Sequence, residues 1–327
     1  MSGLNDLNAS LSQIMILYVL RRFLSTIPVM LTVALIVFSI LYFSAGDPAA
    51  LIAGEAASVE DVARVRHALG LDEPFLLRFG KWLWAVLHFD VGTSLFSNMP
   101  VATMIAQRLE PTLSLMAVTM VFSVLIAVPI GVWAAWRRNG VMDRTVMLLA
   151  VLGFSVPVFA CGYAAAWLFS LKLGWLPVQG YKPISAGLWP WFRQLILPAA
   201  ALGSSYIALI ARMTRASMLE TLDQDYIRTA RAKGLRDGRI LFLHALKNAS
   251  VPVITLVGIG VAMLIGGAVV TESVFVIPGL GRLTAESIMR RDFPVIQGIV
   301  LFFSFIYVLV NLLIDLIYAL IDPRIRY

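Results

Sequence analysis

Arg212-Met-Thr-Arg-Ala-Ser-Met-Leu-Glu-Thr-Leu-Asp-Gln-Asp225-Tyr-Ile-Arg-Thr-Ala-Arg-Ala-Lys-Gly234-Leu-Arg-Asp237-Gly-Arg-Ile-Leu-Phe-Leu-His244-Ala-Leu-Lys247 is a charged run set between two apolar stretches. It carries eight of the chain's 26 lysines and arginines: Arg212, Arg215, Arg228, Arg231, Lys233, Arg236, Arg239 and Lys247. Leu219, Leu222, Tyr226 and Ala230 recur on one face of an α-helix. The opposite face carries Asp223, Gln224, Asp225, Arg228 and Arg231, and Asp225 is spaced one turn from Arg228 to pair with it. Gly234 breaks the helix, because glycine alone takes a left-handed backbone cheaply. Asp237 then opens a second helix, where the dipole favours an acid. Ile240, Leu243 and Leu246 continue the apolar face until Pro252. Two short helices joined by a glycine cannot cross a bilayer. They lie beneath it, one face on a membrane domain and the other in the cytosol.

The rest of the chain supplies that membrane domain. Of 327 residues, 60% are hydrophobic and only 14% charged, with a mean hydropathy of +0.86, too little charge to cover a soluble surface. The expected fold class is an all-α integral membrane protein with six transmembrane helices. A helix needs roughly 20 apolar residues to cross a ~30 Å hydrocarbon core. The spacing predicts spans at Phe23–Phe43, Leu113–Trp136, Val146–Leu171, Leu195–Met213, Val251–Val270 and Val295–Leu320. The fourth is the weakest, since it holds Pro198 and two serines. The first follows Arg21-Arg22 and runs 21 residues, beyond the ~7–15 of a secretory signal's apolar region. It reads as a retained helix behind a disordered start at Met1–Gln13. The single cysteine, Cys161, lies inside the third span and reads as a small hydrophobe.

With both termini cytoplasmic, the inside holds 15 basic residues (Arg21, Arg22, Arg137, Arg138, Arg144, the eight above, Arg324 and Arg326) and 7 acidic ones (Asp6, Asp143, Glu220, Asp223, Asp225, Asp237 and Asp322). Outer segments balance at 11 of each sign, and Asp315 in the last span brings the net charge to +7. The short loops decide orientation, and they favour cytoplasmic termini. The positive charge is thus an inside bias, and no compact soluble domain carries a nucleic-acid footprint. Trp133 and Trp136 fall at the inner end of span two. Trp82, Trp84, Trp167, Trp175, Trp189 and Trp191 fall near the outer interface, where indoles prefer to sit.

This divides the chain into a cytoplasmic segment 1–22, span one at 23–43 and an outer loop at 44–112. A core of spans two to six follows at 113–320, with the cytoplasmic run at 214–250, then a tail at 321–327. In the outer loop, Ser58 caps a helix on which Val62, Val65 and Leu69 repeat, and Gly70 ends it. Pro74–His88 reads as an amphipathic helix with Phe75, Phe79, Trp82 and Leu83 on one face, lying on the outer membrane surface or capping an entrance. A later outer loop, Phe275–Pro294, holds the turn residues Ile277-Pro-Gly-Leu-Gly281 and a short helix at Leu283–Met289.

No energy source is visible. The only Gly-Lys pair is Gly80-Lys81, followed by Trp82, so no P-loop is present. His67, His88 and His244 are scattered, and neither His-Glu-x-x-His nor a Gly-x-Ser-x-Gly elbow occurs. A membrane enzyme is not expected. Ion-coupled secondary transport, the alternative from another class, needs ionisable groups near the midplane. Asp315 and Glu272 are the nearest, each close to a span's end. Gly258, Ala262 and Gly266, at four-residue spacing, either allow close helix packing or line a smooth pathway.

The run Asp225-Tyr-Ile-Arg-Thr-Ala-Arg-Ala-Lys-Gly-Leu235, followed by His244-Ala-Leu-Lys-Asn-Ala-Ser-Val-Pro-Val253, resembles the coupling segment of ABC-importer permeases. More narrowly, it is similar to the dipeptide, oligopeptide and nickel branch. Ala230, Gly234 and Leu246 match the general signature. Arg228-Thr229 stands for Glu-Ala, His244 for Ile and Lys247 for Pro, departures similar to that branch. Tyr18-Val-Leu-Arg-Arg-Phe23, Phe89-Asp-Val-Gly-Thr-Ser94, Arg108-Leu-Glu-Pro-Thr-Leu113, Glu272-Ser-Val-Phe-Val-Ile-Pro-Gly-Leu-Gly281 and Arg291-Asp-Phe-Pro-Val-Ile-Gln-Gly298 resemble its other landmarks in order, so the likeness covers roughly Leu17 to Tyr327.

The resemblance implies a type I importer permease fold in a bacterial cytoplasmic (inner) membrane. It implies a second homologous permease chain, two ATPase subunits (or one heterodimer) and an extracytoplasmic solute-binding protein. The chain itself would carry no cofactor, with ATP and Mg on the ATPases. Asp225, Tyr226, Arg228, Thr229, Ala230, Arg231, Lys233, Gly234, Asp237 and His244 would then form the ATPase-coupling surface. Glu272, Arg282, Arg291 and Asp292 would form an outer gate or contact the binding protein, or else hold their loop together. Di- or oligopeptides are the expected substrate, with nickel or glutathione as alternatives in the same family.

Overall fold

A computed structural model describes residues 24–39, 48–53, 57–68 and 70–321. The amino-terminal segment 1–22, both ends of the first expected span (Phe23 and 40–43) and the tail beyond Ile321 lie outside the described residues. Helices dominate, and the one extended pairing among the described residues is an isolated bridge between Thr93 and Pro100. In chain order the helices are α1 (Leu24–Ser39), α2 (Pro48–Ala53), α3 (Val59–Ala68), α4 (Phe75–Leu87), α5 (Val101–Trp136), α6 (Val141–Ser155), α7 (Val158–Ala165), α8 (Leu188–Leu222), α9 (Asp225–Ala232), α10 (Asp237–Arg239), α11 (Leu246–Val274), α12 (Leu280–Arg290) and α13 (Phe293–Ile321). Four of these are long and apolar enough to cross a membrane, the bent pair Val141–Ser155 and Val158–Lys172 makes a fifth if it counts as one span, and α1 is a shorter apolar helix.

Three expectations need correction. The third span is not one helix: α6 and α7 meet at a 102° bend. Pro157 lacks an N–H and forces Val156 out of the helical region, to φ −87° and ψ 127°, so the helix ends there. The stretch expected as loop through residue 112 is already helical from Val101, because α5 runs for 36 residues and carries Pro111 and Pro129 in its interior. The helix expected at Leu283–Met289 is α12, and it begins three residues earlier.

The chain divides into two compact units: the described residues up to Gln107 with Glu286–Leu312, and Arg108–Ala285 with the chain from Leu313. In the first unit the helices ahead of α5 follow their sequence signals. Ser58 and Asp61 form a reciprocal cap on α3, with the Asp61 amide bonded to the Ser58 hydroxyl at 3.2 Å and the Ser58 amide to the Asp61 carboxylate at 3.1 Å. Gly70, at φ +62°, closes α3 with Leu71 N–H bonding the Arg66 carbonyl at 3.0 Å. The aromatic face of α4 packs on α1, where the Phe38 ring lies 5.4, 5.5 and 5.3 Å from those of Phe75, Phe79 and Trp82.

The second unit is organised around α8. This is the least apolar of the four long spans, yet 61% of its window is buried, against 28–39% for the others. Its serines and Pro198 are tolerated because helices, not lipid, surround it. Close approach is set by small residues. A Cβ on Gly131 of α5 would lie 2.6 Å from the Thr214 Cβ and 2.7 Å from the Ala211 carbonyl of α8. A Cβ on Gly203 of α8 would meet the Ser123 hydroxyl at 2.9 Å. Tyr206 of α8 donates its hydroxyl to the Gly260 carbonyl of α11, a spot open only because Gly260 has no side chain.

Candidate functional site

The charged run folds as two helices that turn at Gly234. α8 extends to Leu222, and Asp223-Gln224 breaks it before α9 begins. The inward face of α9 is therefore set afresh. Ile227 is fully buried and Ala230 nearly so, while Tyr226 is 42% exposed, contrary to the face read as Leu219, Leu222, Tyr226 and Ala230. Ile227 and Ala230 pack with Val132 and Ala135 of α5, Met218 and Leu222 of α8, and Ile240, Leu241, Ala245 and Ala249. Burying an Ile side chain contributes roughly 1.5–3 kcal/mol, so Ile227 is the principal anchor of this short helix.

α9 ends as glycine-capped helices do. Gly234 has φ +74°, the Leu235 amide bonds the Ala230 carbonyl at 3.3 Å, and the Gly234 amide bonds the Arg231 carbonyl at 2.9 Å. Nothing lies within 4 Å of where a Gly234 Cβ would stand, so backbone conformation alone demands the glycine. Asp237 then opens α10. Ile240–Ala245 winds as a wide π-helical turn that runs straight into α11. With bonds to i+5, the turn buries Ile240, Leu241 and Ala245 and leaves Leu243 55% exposed. The expected Ile240, Leu243, Leu246 face is thereby re-registered.

Asp225, Tyr226, Arg228, Thr229, Arg231, Lys233, Gly234 and Asp237 are all exposed along one continuous stretch. His244 is half-buried and Ala230 belongs to the packed side. Arg228 bonds Asp225 at 3.4 Å as its spacing implies, an exposed pair worth little to stability. The surface thus offers a mixed row of charges on a backbone fixed from behind.

Several residues that fix it carry no signal beyond loop polarity in the sequence. Asp143, at the start of α6, accepts from both the Nε and, at 2.7 Å, the Nη2 of Arg215 on α8. It also accepts from the Asn139 amide at 3.0 Å. Arg138 reaches Asp223 at 3.4 Å. Asn248 of α11 donates to the Tyr226 hydroxyl at 2.7 Å. The turn between α5 and α6 therefore grips the end of α8, and α9 is tied to α11. No local pattern signals pairs 72 and 85 residues apart.

Of the other expected site residues, Glu272 and Arg282 meet in the second unit, and Arg291 and Asp292 are neighbours in the first. Glu272 is fully buried. It accepts from the Thr112 hydroxyl at 2.6 Å and the Arg282 amide at 2.9 Å, while Thr112 accepts from the Leu280 amide at 2.7 Å. A Cβ on Gly279 would strike the Glu272 carboxylate, and one on Gly281 would lie 2.7 Å from the Val269 backbone. Neither glycine has a positive φ. Close approach, rather than turn geometry, is what this Pro-Gly-Leu-Gly run needs. Asp292, buried, accepts from the Ser94 hydroxyl at 2.6 Å and the Leu95 amide at 3.2 Å, and Arg291 beside it is exposed at φ +57°. Both carboxylates thus hold loops. Gly258 is buried against Ile314, Ala262 is half-buried, and Gly266 is exposed with nothing within 4 Å of its Cβ position.

Comparison with known proteins places these features in a family. Residues 127–327 match the family model described as binding-protein-dependent transport system inner membrane component. Residues 15–116 match the model for the amino-terminal part of such membrane components. A probable peptide ABC transporter permease protein of Sinorhizobium fredii is 51% identical over 95% of this chain and 99% of its own length. A putative peptide transport system permease protein of Brucella abortus is 47% identical over 94% of this chain and 98% of its own. A glutathione transport system permease protein of Salmonella paratyphi A is 45% identical over 96% and 100%. Among solved structures, an inward-facing MetNI methionine ABC transporter chain aligns with a TM-score of 0.57 at 19% identity, covering 67% of this chain and 96% of that one.

Proposed function

The chain belongs to the family of binding-protein-dependent transport system inner membrane components, the ABC-importer permeases, and from that premise we propose that it forms half of the pathway for di- or oligopeptides across a bacterial inner membrane. The observation that carries this reading is the exposed, glycine-hinged surface of α9 and α10, with Ile227 and Ala230 locked into the unit behind it. A surface held rigidly from behind and left open in front suits the transfer of force from a separate subunit. In this reading Asp225–Lys233 and Asp237–Lys247 seat on an ATPase subunit, ATP and Mg are bound there, and Gly234 sets the angle between the two contact helices. A second permease chain completes the pathway, and a solute-binding protein delivers substrate to the opposite side. Six spans with both termini cytoplasmic complete the topology, with the stretch from 44 to the start of α5 at Val101 outside.

Peptide as the substrate is supported by relatives named as peptide permeases at 47–51% identity. Glutathione, itself a tripeptide, is the second reading, supported by the relatives named for it at 45%. The test is uptake by proteoliposomes holding this chain, its partner permease, the ATPases and the binding protein. ATP-dependent accumulation of labelled dipeptide, lost in Gly234→Pro while membrane insertion is kept, is the expected result. Full uptake and full substrate-stimulated ATP hydrolysis in Gly234→Pro contradicts the coupling role. Accumulation of glutathione without any peptide replaces the substrate assignment.

A further inference from the structure

At the end of α8 remote from the charged run, a cavity of about 350 Å³ opens beside the loop that follows α7. Its polar wall is Lys182, Arg193 and Gln194, and its apolar wall includes Leu176, Trp189 and Pro190. Arg193 spends one N–H on the Trp175 carbonyl at 3.0 Å, and a guanidinium has five such donors. Neither Lys182 nor Arg193 forms an ion pair among the described residues. Among the described residues, the one acid bonded to this loop is Glu110, engaged by the Tyr181 hydroxyl at 3.0 Å and the Ile184 amide at 2.8 Å. Two cations thus face one small cavity with no carboxylate answering them.

The surroundings say what kind of anion belongs there. Trp167, Trp175 and Trp189 are 55%, 62% and 64% exposed, and Leu171 and Leu188 about as much or more. Lys172 lies over the Trp167 ring at 5.6 Å. Exposed indoles mixed with leucines and lysines form the belt that sits at the headgroup level of a bilayer, and cations within that belt attract anionic lipid. We propose that this cavity binds the phosphodiester of an anionic phospholipid, with Lys182 and Arg193 on the phosphate and Trp189 against the glycerol and upper acyl chain. The site depends on the chain's membrane residence and not on which solute is transported. Free phosphate and an acidic patch of a delivery protein carry similar charge and are the competitors the test must exclude.

Native mass spectrometry of the full chain, co-purified with its partner subunits in neutral detergent, separates these sources. The probes are phosphatidylglycerol, phosphatidylcholine and inorganic phosphate. Phosphatidylglycerol is expected to be retained over phosphatidylcholine. Lys182→Gln and Arg193→Gln should each weaken retention about fivefold, from roughly one surface charge's attraction to anionic lipid. Lys182→Arg should restore it, which separates charge from folding, and Arg64→Gln on α3 should bind as wild type. Equal retention of both lipids, or unchanged retention in the double Lys182→Gln, Arg193→Gln variant, overturns the proposal. So does saturation by inorganic phosphate at the same concentration, or displacement of the lipid by the purified solute-binding protein.

Discussion

Asp143→Ala removes the one acceptor shared by Arg215 and the Asn139 amide. The Asp143 side chain is 4% exposed and that of Arg215 22%. Deleting one member of a buried pair costs about 3–5 kcal/mol, because the other charge is left without compensation. Arg215 is long and partly wet, so it recovers some hydration, which brings the figure to about 2–3 kcal/mol. The lost amide bond adds about 1 kcal/mol. A total near 3 kcal/mol corresponds to a fall in Tm of about 6–12 °C, on the scaling of about 2–4 °C per kcal/mol for units of 150–250 residues. Thermal unfolding of the purified complex followed by tryptophan fluorescence reads this directly. The double variant Asp143→Ala, Arg215→Ala should cost clearly less than the sum of the single ones. A Tm within about 2 °C of wild type for Asp143→Ala, or strict additivity of the two changes, refutes the reasoning that this pair clamps α6 to α8.

Three further outcomes follow from close geometry. Gly131→Ala should lower stability by about 1–3 kcal/mol, since its methyl group meets the α8 backbone rather than a movable side-chain tip; a thermal midpoint equal to wild type would show that α5 and α8 do not touch there. Gly279→Ala should destabilise through the Glu272 carboxylate, and adding Glu272→Ala should relieve part of that cost, so fully additive midpoints in the same assay would rule out the contact. Asp61 is held below its ordinary value of 3.8, first by the Ser58 hydroxyl and then by the Ser58 amide. Because the folded pKa is the lower one, its contribution is complete above 3.8 and is lost as pH falls through the depressed value. Hydrogen exchange in the first turn of α3 should therefore stay slow at mildly acidic pH and quicken only below that range, and early loss of protection would argue against the cap.

What the sequence disclosed depended on whether the cause was local. Ser58 and Gly70 bracket α3 because capping chemistry involves residues only a few positions apart, and Gly234 was readable because a left-handed backbone singles out glycine. Apolar length marks the long apolar helices but carries no direction, so the bend at Val156-Pro157 is invisible to it. A helical count carried across Asp223-Gln224 puts Tyr226 on the packed face, but the helix breaks there and the count restarts at Asp225 with Ile227 inward. Leu243 was misplaced for a related reason, a wide turn that advances the register. Asp143 and Arg215, and Glu272 beneath Gly279, meet only through folding, and no spacing rule applies to them.

The proposal that α9 and α10 seat on a separate ATPase is tested most directly by proximity. In a chain lacking its single cysteine through Cys161→Ala, cysteine is placed at exposed Arg228 and the complex is treated with a short crosslinker bearing a thiol-reactive and a photoreactive end. The prediction is a crosslink to the ATPase subunit whose yield changes when ATP is added, with uptake blocked once the link forms. A Cys substituted at Arg64 on α3 should give no such product. If Arg228→Cys crosslinks to lipid or to nothing while the assembled complex still transports, the surface is not the coupling site.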